Sequence, residues 1–413
     1  MANDLFIVSL IVIWMMLLYH IVLTLAGYRY QEKVMNPPRT FPLPNPAPMV
    51  SILVPAHNEE KVIEATVRAL CSFEYPVGRY EVIVINDRST DNTGLMVDAM
   101  QNDFPMLKPV HVKAPYGGKG KSAALNFGLQ FASGSIIAVY DADNTPEKTA
   151  LRRLVSTLLS DERYAAVVGK FRVINAYRNL LTRFINIETI SFQWMVQGGR
   201  WNLFKLATIP GTNYVIRREM IRDLGGWDEN ALAEDTEVSI RIYETGHLIC
   251  FMPLAVTWEQ EPETWRVWLK QRTRWVRGNT YVIAKFTKRL IALRGAKISL
   301  DILYFFMTYF MFLGGVLLSD LLFVLSFLHV VHLTLAGPFF VIWLLAYVLF
   351  AVEIAVTLEI ETTELTWSNF GVILLMYFTY SQLWMFLVVR GMWMQWQSVV
   401  HQEAVVWQKT ERF

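Results

Sequence analysis

The feature that most constrains this sequence is a long stretch near its C-terminal end without any lysine or arginine. It extends from Ile298 to Val389 and contains apolar runs near Ile302 to Phe327, Phe339 to Ile360 and Phe370 to Val389. A further apolar run, Leu5 to Ala26, lies near the N-terminus. Each run has at least about the 20 residues that an α-helix needs to cross a bilayer. The sequence therefore predicts four membrane-spanning helices.

The first run could instead be the core of a cleaved signal peptide. It is too long for that, it has no basic start, and no small-residue cleavage site follows it. We therefore predict an N-terminal membrane helix. The count of C-terminal spans could differ by one from this prediction, because the first C-terminal run is long and contains Asp320.

Basic residues on both sides of the long polar segment predict its orientation. No lysine or arginine precedes Leu5, whereas clusters of them follow the first span and precede the second. Basic flanks stay on the cytosolic side, so residues 28 to 300 should lie in the cytosol of a multi-pass cell-membrane protein. With four spans the C-terminus would lie outside the cell. The basic residues Arg390, Lys409 and Arg412 favour the cytosolic side instead. The flanking clusters are Arg29, Lys33 and Arg39, then Lys285, Lys288, Arg289, Arg294 and Lys297.

Composition agrees with a polar domain attached to membrane helices. Hydrophobic residues make up 54% of the chain, yet 18% are charged, which is too many for a protein lying wholly in the membrane. The net charge of +2 gives no reason to expect a nucleic-acid partner. Cys71 and Cys250 lack metal-ligand spacing and would both lie in the cytosol, so no disulfide is expected.

The chain divides into five predicted segments. A stretch with six prolines in twelve residues, Pro37 to Pro48, is typical of a stiff linker. The segments are an N-terminal membrane helix at 1–27, the linker at 28–47, a cytosolic domain at 48–295, about three membrane helices at 296–391 and a tail at 392–413.

Short apolar runs that end in polar residues predict the fold of the cytosolic domain. VSILVPAHNE, EVIVIND and SIIAVYDAD are typical of buried strands, and helical stretches such as SAALNFGLQFA lie between them. Strands alternating with helices predict an α/β domain, a parallel sheet with helices on both faces. Ligands bind outside the carboxyl ends of such strands. The sequence places His57, Asn58, Asp87, Asp141 and Asp143 there.

Two further segments combine aromatic and basic residues. Arg178 to Lys205 fits either an amphipathic helix at the membrane surface or an ordinary helix packed on the domain core. The pattern does not separate these two interpretations. Trp265 to Lys288 has a similar character and leads directly toward the second span.

The pair Asp141 and Asp143 can hold a divalent metal ion. Two carboxylates one residue apart at a strand end can share a hard cation, one directly and one through water. Such an ion, Mg²⁺ or Mn²⁺, would neutralise a diphosphate leaving group. The alternative is a pair of ordinary turn residues, because strand ends favour aspartate anyway.

Other residues have the chemistry to bind a nucleotide or to accept a proton. Asp87 could accept a hydrogen bond from a base or ribose, or simply cap a turn. Lys119 and Lys121 lie among glycines and suit a phosphate, although the P-loop spacing is absent. Of the adjacent Glu234 and Asp235, one could be a general base. A surface acidic pair is the plainer alternative.

The segment QRTRW lies on a predicted helix. Its two arginines, Arg272 and Arg274, suit bidentate hydrogen bonds to a pyrophosphate. Trp275 offers a flat face on which a sugar ring can stack. A basic helix that flanks a membrane span would use the same residue types.

In this order the motifs resemble those of one protein family. PAHNE, the strand-end Asp87, DAD, AED and QRTRW are similar to motifs of the processive family 2 glycosyltransferases, which include cellulose, hyaluronan, chitin-oligosaccharide and poly-N-acetylglucosamine synthases. The resemblance covers roughly residues 48 to 295. It implies a GT-A (Rossmann-like) fold and an inverting single displacement from a UDP-sugar. The acceptor would be a growing polysaccharide that leaves through the enzyme's own spans.

The resemblance also implies a role for each matching residue. Asp235 would be the catalytic base, and Asp141 and Asp143 would bind the metal. The donor-binding residues would be His57, Asn58, Glu59, Asp87, Lys119, Lys121, Asp141, Arg272 and Arg274. The acceptor-binding residues would be Gly211, Thr212, Glu234, Gln271 and Trp275.

Three segments depart from the family pattern. Asn86 precedes Asp87 where the family often has a second aspartate, so only Asp87 is carried over. AED stands where TED is usual, which leaves Asp235 intact. TIPGTNY differs from the loop of cellulose synthases, which weakens the case for cellulose. The donor can be UDP-glucose or UDP-N-acetylglucosamine.

Two other functions fit part of the pattern. The same chemistry could add one sugar to a lipid or short acceptor, and product length separates that function from processive synthesis. The chain could also be a transport or scaffold subunit with an inactive domain, although every motif carboxylate is present. The tail after Arg390 is too short for a cyclic-di-GMP-binding module, so such control would need an accessory membrane or regulatory subunit.

Overall fold

The structure, a computed structural model, describes residues 2–36, 39–290, 303–304, 306–333, 339–361 and 363–401. Parts of several sequence predictions lie outside these ranges. They are the first two prolines of the linker, the boundary at residues 295 and 296, the beginning of the first C-terminal span at Ile302, the last twelve residues of the tail, and the basic residues Arg294, Lys297, Lys409 and Arg412.

The predicted cytosolic domain is built on an eight-stranded sheet. Its strands are β1 (Val50–Ala56), β2 (Tyr80–Asp87), β3 (Leu107–Val112), β4 (Ile136–Val139), β5 (Thr145–Pro146), β6 (Tyr164–Val173), β7 (Tyr214–Arg217) and β8 (Leu248–Glu259). They lie in the order β3-β2-β1-β4-β7-β6-β8-β5. The three strands predicted from the sequence are β1, β2 and β4, which lie side by side and parallel.

The sheet is mixed, which was not predicted from the sequence. β7 runs antiparallel to both of its neighbours, β4 and β6, and β5 runs antiparallel to β8. Tyr214, the first residue of β7, pairs with Val139, the last residue of β4. The chain therefore re-enters the sheet from the end where the parallel strands finish, and β7 must run in the opposite direction.

Fourteen helices are present in the described part of the chain, with two π-helical segments at Phe192–Gly199 and Met307–Phe312. They are α1 (Ala2–Met35), α2 (Ile63–Leu70), α3 (Thr93–Met100), α4 (Lys121–Leu129), α5 (Ala150–Leu159), α6 (Leu180–Ser191), α7 (Arg200–Phe204), α8 (Arg218–Asp223), α9 (Glu234–Glu244), α10 (Trp265–Leu290), α11 (Leu313–Phe327), α12 (Phe339–Ile360), α13 (Trp367–Phe378) and α14 (Tyr380–Val400). Helices α4 and α5 pack on the sheet. The apolar side chains of β1, β2 and β4 are fully or almost fully buried, which explains why these runs form central strands.

Within the residues that the structure describes, three apolar stretches of helix are long enough to cross a membrane. They are Ala2–Met35, Val341–Ile360 and Trp367–Val400, the last combining α13 and α14. The remaining predicted span contains the π-helical segment Met307–Phe312, which continues directly into α11. Taken alone, α11 has 15 residues. It packs on α1, where Gly315 lies against Val12.

The turn between α12 and α13 is bound to the sheet domain through acidic side chains. Glu361 is 6% exposed. It accepts a hydrogen bond from the Trp194 indole at 2.7 Å, and it forms ion pairs with Lys170 and, at 3.1 Å, with Arg172. Glu364 accepts from the Tyr177 hydroxyl at 2.7 Å. The C-terminal end of α12 therefore lies on the same side of the apolar helices as the sheet.

The segment Arg178 to Lys205 lies between the sheet and the apolar helices. Its side chains Phe184 and Trp194 belong to one buried cluster with Leu358 of α12 and Ile373 of α13. Leu23 of α1 packs against its Gly199. The segment thus packs on the apolar helices as well as on the sheet domain, and its position at a membrane surface stays a prediction.

Candidate active site

The loops after β1 and β2 are joined by predicted donor-binding residues. Nδ1 of His57 lies 2.6 Å from the carbonyl oxygen of Asp87. The Asn58 N–H donates to the Ser89 hydroxyl at 2.9 Å, and the Asn58 side-chain oxygen accepts from the Thr90 N–H at 2.7 Å. Asn58 has a φ of 57°, a left-handed conformation that asparagine tolerates. These contacts hold the two strand-end loops together.

Asp87 lies against the glycine-rich loop before α4. Its Oδ1 accepts from the Gly118 N–H at 2.7 Å. A Cβ at Gly117 would lie 2.6 Å from the same oxygen, so this close approach requires glycine. Lys119 is exposed, and Glu59 is buried with its N–H bonded to the Thr93 hydroxyl at 2.8 Å. Nucleotide contacts of Asp87, Glu59 and Lys119 stay predictions.

Lys121, the first residue of α4, lies at the centre of the candidate site. Its Nζ is 2.6 Å from Asp141, 3.3 Å from Glu234 and 2.8 Å from the carbonyl oxygen of Gly211. Burial alone would lower the pKa of Lys121, but the carboxylates of Asp141 and Glu234 outweigh it and hold that pKa above its ordinary value. One lysine therefore connects the predicted metal pair, the predicted base and the predicted acceptor loop.

Asp235 has the properties expected of a general base. Burial, and then the neighbouring Glu234, raise the pKa of Asp235 to about 7, against the opposing effect of Lys121. Its Oδ1 accepts from the Thr236 N–H at 2.7 Å, and the residue keeps part of its surface exposed. A Cβ at Gly211 would lie 2.9 Å from Asp235 Oδ2, so the predicted acceptor loop touches this carboxyl. A base with a pKa near the working pH suits proton transfer.

Thr212 connects the predicted acceptor loop to the Asp141 loop. Its hydroxyl accepts from the Asp141 N–H at 3.0 Å and donates to Asn144 Oδ1 at 2.9 Å. Thr257 also donates to this Asn144 oxygen, at 3.1 Å, and Asn144 is fully buried. Asn144 was not predicted from the sequence, although its place directly after Asp143 could have indicated it.

The carboxylates of Asp141 and Asp143 fit a metal that also binds phosphate. Among the described residues no group of three or more acidic, histidine or cysteine side chains could hold a metal ion. Mg²⁺ commonly takes only one or two carboxylates and completes its octahedron with water and substrate phosphates. Asp143 is 8% exposed, and the Asp141 side chain is 34% exposed beside Lys121. The donor set is therefore compatible with a cation that arrives with a diphosphate.

The structure separates the two arginines of QRTRW. Arg272 is 1% exposed, and its guanidinium forms an ion pair with Glu188 of α6 at 2.7 Å. Burial would lower the pKa of Arg272, but Glu188 outweighs it and holds that pKa above its ordinary value. Arg274 is partly exposed, and 39% of the Trp275 surface is exposed. No sequence signal had pointed to Glu188.

Helix α10 carries QRTRW past the beginning of α9. A Cβ at Gly278 would lie 2.7 Å from the Cβ of Ala233, the residue before Glu234. The motif helix and the predicted base are therefore parts of one packed unit. In this unit Lys121, Asp141, Glu234, Asp235, Gly211 and Thr212 are brought together by the contacts described above.

Comparison with known proteins identifies the family. Residues 46–278, more than half of the chain, match the family model described as "Glycosyltransferase like family 2". The chain therefore belongs to glycosyltransferase family 2 and is a transferase. Its fold is the GT-A fold, as predicted: a mannosyltransferase of Pyrobaculum calidifontis, solved with GDP-Man and Mn²⁺, superposes with a TM-score of 0.59 over 91% of this chain and 99% of that one, at 20% identity.

Relatives with curated names differ in their stated products. A Bacillus subtilis (strain 168) protein named "Probable glycosyltransferase YdaM" is 51% identical over 100% of this chain and 99% of its own length. A β-monoglucosyldiacylglycerol synthase of Nostoc is 32% identical over 68% of this chain and 59% of its own. A poly-β-1,6-N-acetyl-D-glucosamine synthase of Staphylococcus aureus (strain COL) is 29% identical over 57% of this chain and 56% of its own.

Proposed function

We propose that this chain transfers a sugar from a UDP-sugar to a growing β-linked polysaccharide, with inversion, at the cytosolic face of the cell membrane. One observation carries the proposal above all others. A partly exposed carboxyl, Asp235, has a pKa of about 7 and touches the Gly211 loop beside the Lys121–Asp141 ion pair. This arrangement supports a role for Asp235 as the proton acceptor and for Lys121 in stabilising a departing phosphate.

Asp235 acts as the base on the acceptor. A sugar hydroxyl is a weak nucleophile, and a carboxylate within hydrogen-bond reach that takes its proton contributes on the order of 10²–10⁴ in rate. The acceptor oxygen then forms a bond to C1 of the donor sugar while the bond from C1 to the diphosphate breaks. Attack from the opposite face converts an α-linked donor into a β-linked product.

The second requirement is to stabilise the negative charge that develops on the leaving diphosphate. Lys121 and Arg274 are the cations that we assign to it, since Arg272 is committed to Glu188. Asp141 and Asp143 would hold a Mg²⁺ or Mn²⁺ ion, which when bound neutralises part of the diphosphate charge. Preorganised charges of this kind usually contribute more to the rate of an enzyme than any other single effect.

Two observations support a polysaccharide acceptor: the order of the motifs along the chain and the position of the QRTRW helix. The QRTRW helix α10, which carries the exposed Trp275, packs along α14. The relative named poly-β-1,6-N-acetyl-D-glucosamine synthase makes UDP-N-acetylglucosamine the first donor to try.

A lipid acceptor is the second candidate function. It is favoured by the relatives named β-monoglucosyldiacylglycerol synthase, which are slightly more similar to this chain than the polysaccharide synthase is. The chemistry at Asp235 would be the same. Only the acceptor and the number of sugars transferred would differ.

Product size separates the two candidates. Purified protein in bilayer discs that contain diacylglycerol is given labelled UDP-glucose or UDP-N-acetylglucosamine, and the products are divided into solvent-extractable lipid and high-mass polymer. We expect label in the polymer, and glycosidase digestion should identify its sugar. Label confined to a single-sugar lipid would contradict processive synthesis and support the second candidate. No UDP release from either donor would contradict the proposed reaction with these donors.

A further inference from the structure

A buried polar network joins the QRTRW helix α10 to α6 and to α14. The Glu188 carboxylate in α6 accepts from the Arg272 guanidinium at 2.7 Å and from the Tyr380 hydroxyl at 2.6 Å, both through Oε2. The Tyr380 oxygen accepts in turn from the indole N–H of Trp268 at 2.9 Å. Trp268, Arg272 and Tyr380 are each at most 1% exposed. One carboxylate thus holds three helices that are far apart in the sequence.

The network also contacts the two motif side chains assigned to the acceptor. The Arg272 guanidinium donates to Gln271 Oε1 at 2.8 Å. It lies over the Trp275 ring, 3.9 Å from the ring centroid, a distance at which a cation–π attraction is strong. The Glu188 carboxylate, the Gln271 amide and the Trp275 ring thus all contact one guanidinium.

Arg272 and Arg274 therefore have different tasks. Residues two apart lie about 200° apart around a helix, so Arg274 points away from the side on which Glu188 binds Arg272. Moving Arg272 to a diphosphate would break a buried ion pair and leave Glu188 without its cation, which is strongly unfavourable. The diphosphate contact of QRTRW is better assigned to Arg274.

We propose that Glu188 and Tyr380 are positioning residues that act through Arg272 to hold Gln271 and Trp275 in the orientation that binds the acceptor sugar. Tyr380 begins the second half of the apolar stretch Trp367–Val400. The acceptor site is thereby completed by the packing of the apolar helices on the catalytic domain. This inference rests on the proposed function, because it assigns acceptor binding to Gln271 and Trp275.

The test uses the full chain in bilayer discs and the variants Tyr380→Phe and Glu188→Gln. Phenylalanine keeps the ring contacts of Tyr380 with Phe184 and Trp268 and removes only the hydroxyl. Loss of a hydrogen bond to a charged group should raise the KM for an oligosaccharide acceptor about tenfold. The KM for the UDP-sugar should stay close to that of Tyr377→Phe, a matched control whose ring packs on Tyr347 and Phe350 outside the network.

A double variant distinguishes positioning from a purely structural role. Glu188→Gln combined with Arg272→Gln replaces the ion pair by two amides and also removes the guanidinium that contacts Gln271 and Trp275, so we expect the acceptor KM to stay at least as high as in Glu188→Gln alone. Recovery of the wild-type acceptor KM in the double variant would show that Glu188 only neutralises a buried charge, and it would overturn the proposal. An acceptor KM equal to the control in both single variants would overturn the proposal. So would a parallel rise of the donor KM. These outcomes require an active wild type, whereas absence of UDP release from the wild type would refute the proposed function itself.

Discussion

Replacing Asp235 with asparagine is expected to lower kcat for sugar transfer by about 10²–10⁴-fold, because an amide cannot accept the acceptor proton. The protein should stay folded. The folded-state pKa of about 7 lies above the ordinary value of 3.8, so the stability that Asp235 contributes is present at low pH and is lost as pH rises from about 4 to 7. Asparagine carries no charge at any pH, and the unfolding temperature of the variant at pH 8 should equal or exceed that of the wild type.

The pH dependence of kcat/KM for the wild type should follow the ionisation of the Asp235 carboxyl. Below pH 7 Asp235 is increasingly protonated and cannot act as a base, so kcat/KM should fall on the acidic side with an apparent pKa near 7. Asp223→Asn is the matched control, since this carboxylate is 65% exposed and pairs with the exposed Arg222 at 3.1 Å. Normal turnover by Asp235→Asn would show that another group is the base.

Replacing Asp141 or Asp143 with asparagine should also cost activity, on the order of 10²–10³-fold, the usual effect of removing one preorganised charged group. The loss should be accompanied by a higher Mg²⁺ or Mn²⁺ concentration for half-maximal activity, because one carboxylate ligand of the ion is gone. The measurement is a metal titration of UDP release, starting from protein stripped with a chelator.

Asp103→Asn provides the control for this titration, because Asp103 is an exposed residue in the turn after α3. Its metal dependence should match that of the wild type. Full activity of the wild type in excess chelator, or an unchanged metal requirement in Asp141→Asn and Asp143→Asn, would contradict the assignment of the pair to a metal.

The site residues that lie at the ends of the parallel strands could be predicted from the sequence. An apolar run closed by polar residues predicts a buried strand, and parallel strands finish at one edge of a sheet. His57, Asp87 and Asp141 were predicted at that edge, and β1, β2 and β4 are indeed neighbours. The antiparallel entry of β7 was not predicted, since its four residues carry no signal of direction.

Side-chain partners that are distant in the sequence could not be predicted. Lys121 was expected to bind a phosphate, and nothing local to it indicates that Asp141, Glu234 and the Gly211 carbonyl all surround its Nζ. Glu188 lies in the segment Arg178 to Lys205, where the sequence pattern pointed only to aromatic and basic residues, yet in the structure it pairs with Arg272 of QRTRW. Such pairings depend on how the helices pack after the strands have formed.

The anomeric configuration of the product is the most direct test of the central claim that an acceptor hydroxyl, deprotonated by Asp235, displaces the diphosphate in one step. Purified protein is incubated with the UDP-sugar that it uses, and the new glycosidic bond is examined by NMR through the coupling of its anomeric proton. We predict a β-linked sugar from the α-linked donor. An α-linked product would contradict the single displacement and the role assigned to Asp235.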